Sequence, residues 1–295
     1  MPSVEVAARG LRYPEGPAFD RSGRLFVVEL GGSRVSLVTG GTRETFAETG
    51  GAPNGSTFGP DGALYVANNG GMHPPATSTD GKPGPGGSPA AIQRVSGDGA
   101  VETILTEIDG RTLNSPNDLC FDAAGNLWFT DPIWEGPADD PVPQAPIACL
   151  GADGVARRID TVLRFPNGIG FAPDGSWFIV SESSTGGLWR FDVEAPGVVS
   201  EPRPWGTLGA GALPDGFAFD EAGCLLVAGH GTNAIHVFTP DGIEESRIDL
   251  GEGSMPSNLA FGGPDRTEVS VTAANLGELL TFTWRTPGLV LFGDR

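Results

Sequence analysis

Lysine is almost missing from this 295-residue chain: Lys82 is the only one, and it sits in a Gly/Pro-rich stretch. A Schiff-base mechanism needs a desolvated lysine and has no good candidate here. Cysteine is also scarce, and the odd set Cys120, Cys149 and Cys224 cannot build a disulfide framework. A reducing compartment is therefore expected. The opening Met1-Pro2-Ser3-Val4-Glu5-Val6 has neither a basic region nor an apolar stretch, so the expected location is cytoplasmic. No apolar run approaches the ~20 residues of a membrane span. Positive charge is short too. With 18 Lys+Arg against 37 Asp+Glu, the formal charge is −19, which repels phosphate backbones and anionic headgroups and excludes nucleic acid and membrane as partners. A Gly-x-Ser-x-Gly elbow, a P-loop, a zinc motif and a dinucleotide fingerprint are all absent.

What the chain does have is glycine (46) and proline (26) beside 16 Phe and 6 Trp. Aromatic payload on that scale needs a core, so the glycine and proline mark many tight turns rather than disorder. One pattern recurs through the chain. It reads Pro14-Glu15-Gly16-Pro17-Ala18-Phe19, Pro53-Asn54-Gly55-Ser56-Thr57-Phe58 and Pro116-Asn117-Asp118-Leu119-Cys120-Phe121. It returns as Pro166-Asn167-Gly168-Ile169-Gly170-Phe171, Pro214-Asp215-Gly216-Phe217-Ala218-Phe219 and Pro256-Ser257-Asn258-Leu259-Ala260-Phe261. Successive Phe residues lie 39, 63, 50, 48 and 42 positions apart, and a Gly-containing turn and an apolar strand follow them. Units of this length with about four short strands each define an all-β fold, a six-bladed β-propeller with four-stranded antiparallel blades around a central channel. The whole of 1–295 is expected to be one domain, with blades starting near 15, 54, 117, 167, 215 and 257. Val4–Ala8 is expected to close the ring as an outer strand of the last blade, with 289–292 as the competing candidate. The long spacings place insertions at 68–90 and 131–146, expected to overhang the channel mouth as a lid.

If the first strand of each blade lines the channel, the residue four before each Phe faces the axis. Those residues are Glu15, Asn54, Asn117, Asn167, Asp215 and Ser257, oxygen donors throughout. A lone Asn or Asp before Gly would read as turn chemistry, but Glu15 in the same register is not a turn residue. Two carboxylates with amide oxygens suit Ca²⁺, Mg²⁺ or Mn²⁺ better than zinc or copper.

These motifs, above all Ser-Pro-Asn117-Asp118, Phe-Pro-Asn167-Gly168, Pro-Asp215-Gly216 and Phe-Thr-Asp131-Pro132, resemble those of the SMP-30/gluconolactonase/luciferin-regenerating-enzyme (LRE) family. That family comprises six-bladed propellers and includes sugar lactonases and the squid-type diisopropylfluorophosphatase. The resemblance spans essentially the whole chain and implies one divalent metal held by Glu15, Asn167 and Asp215, with Asn117 as a further ligand or substrate contact. Calcium leads as the ion; Zn, Mn, Mg and Fe also occur in such sites. A metal-dependent lactonase is expected, with Asp215 and Asn117 as the catalytic pair, Asp215 serving as general base. Asp118, His230, Asn54, Asp131 and Trp134 are the expected substrate contacts. The ends of second strands bring Glu29, Asn68 and Glu182 to the same face. His73 falls in the first insertion, while His236 and Arg111 read as structural and surface residues. The rival readings are a phosphotriesterase on the same ring and a non-catalytic binding scaffold.

Overall fold

The computed structural model describes residues 2–71, 88–134 and 140–291. It is a six-bladed propeller of small antiparallel sheets. Blade 1 is typical, with Pro14–Phe19, Leu25–Glu29, Arg34–Thr39 and Thr42–Glu48 paired in that order. Blade 4 carries a fifth strand, Val198–Val199, on its long third strand Gly187–Ala195. Blade 6 consists of Pro256–Gly262, Glu268–Ala273 and Glu278–Thr283, and Glu5–Arg9 completes it from the other end of the chain. The segment 288–289 does something different: Gly288 bridges to Asp220, and the Leu289 N–H donates to the Phe219 carbonyl. No helix among the described residues is long and apolar enough to cross a membrane. The expected lid is mostly outside the described residues, as is His73.

Each junction between neighbouring blades has its own apolar core. Phe26, Val28 and Val35 of blade 1 meet Phe58, Leu64 and Val66 of blade 2. Trp128, Ile147 and Cys149 of blade 3 meet Phe171, Phe178 and Phe191 of blade 4. Leu11, Leu25 and Val27 meet Leu279 where the ring closes. Strands buried on both faces read as nearly continuous apolar runs, as in Leu25–Glu29, apolar up to its final glutamate, and Leu225–Gly229, whose residues are all buried. Fully burying each large side chain contributes about 1.5–3 kcal/mol. The radial stack of blades is therefore held mainly by these side chains; backbone hydrogen bonds between blades occur, as from the Gly55 N–H to the Asn117 carbonyl at 2.6 Å, but the ladders run within blades. The recurring turn is explained by its glycine, which adopts φ of +82°, +78°, +82°, +71° and +84° at Gly23, Gly62, Gly125, Gly175 and Gly223.

The first strands of the blades touch one another around the axis and form the channel wall. Their opening proline costs nothing, because a first-strand residue at the inner edge needs no ladder N–H. In five of the six blades the pairing register slips within the first residues of this strand, between Glu15 and Ala18 in blade 1 and between Pro214 and Phe217 in blade 5, for example. Such bulges turn a side chain out of the ladder direction, here into the channel. In blade 3 regular pairing starts only at Leu119, so Asn117 and Asp118 lie on irregular backbone anchored by Thr130.

The third residue of each motif sets how closely these strands approach. A Cβ on Gly168 would lie 2.6 Å from the Asp215 carbonyl, and one on Gly16 would lie 2.6 Å from that of Asn54. Both neighbours are backbone and cannot swing away. Gly168→Ala should therefore destabilise the fold by about 1–3 kcal/mol, read as a clear fall in Tm. An unchanged Tm would show that the inner ring is looser than this packing implies.

Candidate metal and substrate site

At one mouth of the channel lies a cavity of about 600 Å³. Five of the six axial residues line it: Glu15, Asn54, Asn117, Asn167 and Asp215. Ser257 does not; its hydroxyl meets Thr272 Oγ1 at 2.9 Å and the Pro14 carbonyl at 3.2 Å. His230 and Trp134 also line the cavity, whereas Asp118 and Asp131 do not.

Glu15, Asn117 and Asn167 are buried, and the Asp215 side chain is only 15% exposed. Burial, followed by repulsion from Asp215, holds the Glu15 carboxyl well above the usual carboxylate range. Burial, followed by the charge of Asp118, raises Asp215 in the same way. No arginine or lysine lines the cavity among the described residues to offset this charge.

The orientation of Asn167 is set by a relay. Ser183 donates to the Pro214 carbonyl at 2.7 Å, so its oxygen must accept from Asn167 Nδ2 at 3.0 Å. That leaves Asn167 Oδ1 buried without a partner, a costly state for a desolvated acceptor. No cluster of three or more His, Cys, Asp or Glu suited to a metal occurs among the described residues. The candidate set is two carboxylates with amide oxygens instead. Two under-compensated carboxylates and an orphaned amide oxygen around one cavity are the donor chemistry of a hard divalent cation. Glu15, Asn117, Asn167 and Asp215 fit such an ion.

His230 Nδ1 is likewise buried and unpartnered, and it lies 3.8 Å from Asp215 Oδ2. The ring donates to the Pro256 carbonyl, and burial lowers its pKa. The neutral tautomer therefore carries its proton on Nε2 and directs the Nδ1 lone pair at the site.

Asp118 and Asn258 occupy the motif position that is glycine in the other four blades. They come from blades on opposite sides of the ring, and Asn258 Nδ2 donates to Asp118 Oδ2 at 3.4 Å across the axis. Room for this bar comes from glycine: a Cβ on Gly55 would meet Asp118 Oδ1 at 2.4 Å, and one on Gly216 would meet Asn258 Cγ at 2.2 Å. Asp118 thus faces a second space of about 800 Å³ at the far end of the channel. Burial pushes its pKa up to about 6.

The second-strand ends have a bracing role. Glu29 accepts the Arg12 N–H at 2.7 Å, Asn68 that of Ala52 at 2.9 Å and Glu182 that of Arg164 at 2.6 Å. Asp131 accepts from Asn114 and Ser115 at 2.8–3.0 Å, and burial raises its pKa to about 6. Each therefore pins the backbone that leads into a channel motif. His236 is fully buried between Thr232 and Glu244, and Arg111 is exposed in a short hairpin.

Sequence reasoning passed over the residue that precedes each proline. Tyr13, Phe165, Leu213 and Met255 all line the cavity. The signal was a column of large side chains in four of the six repeats.

The fold and this oxygen-lined mouth define a six-bladed propeller with a candidate axial cation site. Residues 13–275 match the SMP-30/gluconolactonase/LRE-like family, and the chain belongs to that family. It is 32% identical to the diisopropyl-fluorophosphatase of Loligo vulgaris, over 93% of this chain and 90% of that protein. It is 26% identical to the gluconolactonase of Zymomonas mobilis, over 95% of this chain and 82% of that one. A solved gluconolactonase structure from Xanthomonas campestris superposes with a TM-score of 0.78 at 24% identity, covering 96% and 89% of the two chains.

Asp118→Asn should stabilise the metal-free protein. A carboxyl whose folded pKa of about 6 exceeds its unfolded value of 3.8 binds protons more readily when folded. Its ionised form therefore costs stability at high pH, up to about 3 kcal/mol. The gain in Tm should be largest at pH 7.5 and shrink as pH falls from 6 towards 4. A variant destabilised at every pH would contradict this reading.

Proposed function

We propose that the chain is a divalent-metal-dependent lactonase that hydrolyses a cyclic ester at the 600 Å³ mouth. The sugar lactones for which its relatives are named are the reference substrates. The observation that carries the reading is the convergence of Glu15, Asn117, Asn167 and Asp215 from four blades on one cavity, with Asn167 Oδ1 unpartnered. Those four residues would hold the ion, with calcium first among the candidates. When bound, it would polarise the ester carbonyl and make a water molecule more acidic.

The chain's own groups supply the rest. Asp215 is the general base: its carboxylate reaches the cavity and, once its charge is compensated, can take the proton of the attacking water. His230 stands beside it, its ring anchored to the Pro256 carbonyl and its Nδ1 free to accept a hydrogen bond from that water or from a substrate hydroxyl. Asn54 and Trp134 would contact the substrate; both line the cavity, and Trp134 packs on Phe165 with ring centroids 4.8 Å apart. Asp118 and Asp131 act at one remove, the first as the bar beneath the site and the second as a brace. A cytoplasmic setting with neither nucleic acid nor membrane as partner belongs to the same reading. A fluorophosphatase-like ester hydrolysis is the second reading, favoured by the 32% identity to the squid enzyme. A pure binding scaffold would have no need of a buried carboxylate pair at the axis.

Chelation should abolish lactone hydrolysis, and added divalent ion should restore it. Glu15→Gln should lower kcat/KM by at least about 100-fold, measured by pH-stat titration of the released acid. Asp215→Asn should lose about 10²- to 10⁴-fold. Full turnover by Asp215→Asn would remove that residue from both of its roles.

A further inference from the structure

The residues before the channel motifs adopt a backbone conformation that their side chains disfavour. Tyr13, Phe165, Leu213 and Met255 have φ of +51°, +58°, +50° and +45°. Left-handed backbone is costly for bulky residues, and a following proline restricts the position further. Glycine or asparagine would satisfy that backbone at lower cost. Yet four blades keep a large, mainly apolar side chain there, and all four side chains line the same cavity. The corresponding residues of blades 2 and 3, Ala52 and Ser115, are small and do not line it. Backbone geometry does not call for bulk at this position, so the bulk serves the cavity.

Together with Leu30 and Trp134, these side chains form an apolar collar above the oxygen donors. Beyond the Tyr13 hydroxyl, the collar offers little to a polyol. Ser183 and Ser184 line the cavity, but their protons are already donated to the Pro214 and Arg164 carbonyls. Among the described residues it offers no arginine or lysine to an acidic substituent. Hydroxyls or a charge pressed against such a wall lose hydration without replacement, whereas an alkyl or aryl group gains by burial.

We propose that the preferred substrate is an uncharged lactone bearing an apolar substituent, with Tyr13, Phe165, Leu213 and Met255 as the residues that set this preference. The inference rests on the lactonase reading for the reaction, while the collar's affinity for apolar groups can be measured without it.

The test uses the metal-loaded protein with three lactones: γ-nonanoic lactone, neutral gluconolactone and the acidic saccharolactone. Hexylcyclopentanone, an uncharged ring that cannot be hydrolysed, serves as a binding probe by calorimetry. The alkyl lactone should exceed both sugar lactones in kcat/KM by at least about 10-fold, and the ketone should bind. Leu213→Asn and Met255→Asn suit the left-handed backbone, so they should keep or raise Tm. Each should weaken ketone binding and narrow the ratio of alkyl to sugar kcat/KM by several-fold. Gluconolactone or saccharolactone as the best substrate would overturn the inference and leave the lactonase reading intact. So would ketone affinity that is unaltered by both variants. Ketone binding lost in the variants, with no lactone opened by any form, would support the collar and sink the lactonase reading instead.

Discussion

The protein brings two carboxylates from distant parts of the sequence, Glu15 and Asp215, to one buried place where no positive side chain among the described residues lines the cavity to balance them. Burial raises both above the usual carboxylate range, and their mutual repulsion adds to the cost for Glu15. A fold can hold such an arrangement only if its frame is rigid enough to resist the charges moving apart. The six apolar junctions and the glycines that press neighbouring first strands together supply that rigidity. A divalent cation would resolve the conflict directly, and the orphaned Asn167 oxygen points to the same resolution. The cost in the metal-free state and the affinity that the proposed ion would have are two sides of one interaction.

Symmetry explains how the site is built, and its breaks explain what the site does. All six repeats supply a proline, a polar axial residue and a phenylalanine. The third position is glycine in four of them, and in blades 3 and 6 it is Asp118 and Asn258, which meet across the axis. That bar separates the space at one mouth from the larger one at the other. Ser257 is the other departure, turned into the wall towards Thr272. The repeats thus yield a ring with one side left to structure and a floor beneath it.

Much of this was legible in the sequence because a repeat encodes its own geometry. Six registered Pro…Phe motifs identified the blades, the strand that faces the channel and five of the six axial residues that line its mouth, Ser257 being the exception. Val4–Ala8 read as the closing outer strand, and Glu5–Arg9 pairs with Glu278–Thr283 in that place. What stayed hidden was the direction of side chains relative to the channel mouth. Asp131 and Glu182 stand at the expected strand ends, but backbone N–H groups, joined at Glu182 by the Thr185 hydroxyl and the Trp189 indole, occupy their carboxylates. Nothing in one repeat reveals a hydrogen bond to the loop ahead of its motif. Asp118 looked like a neighbour of Asn117 on the same surface, yet both lie on irregular backbone ahead of the paired strand, and Asp118 turns across the axis to Asn258. The collar was missed because left-handed backbone is not written in the identity of Leu213 or Met255.

The most direct test of the central claim is calorimetric titration of calcium into metal-free protein, run in parallel on the wild type, Glu15→Gln and Asp215→Asn. One tightly bound ion per wild-type chain, lost or greatly weakened in each variant, is the predicted result. Undiminished binding in both variants, or a wild type that takes up no divalent ion at all, would contradict the account.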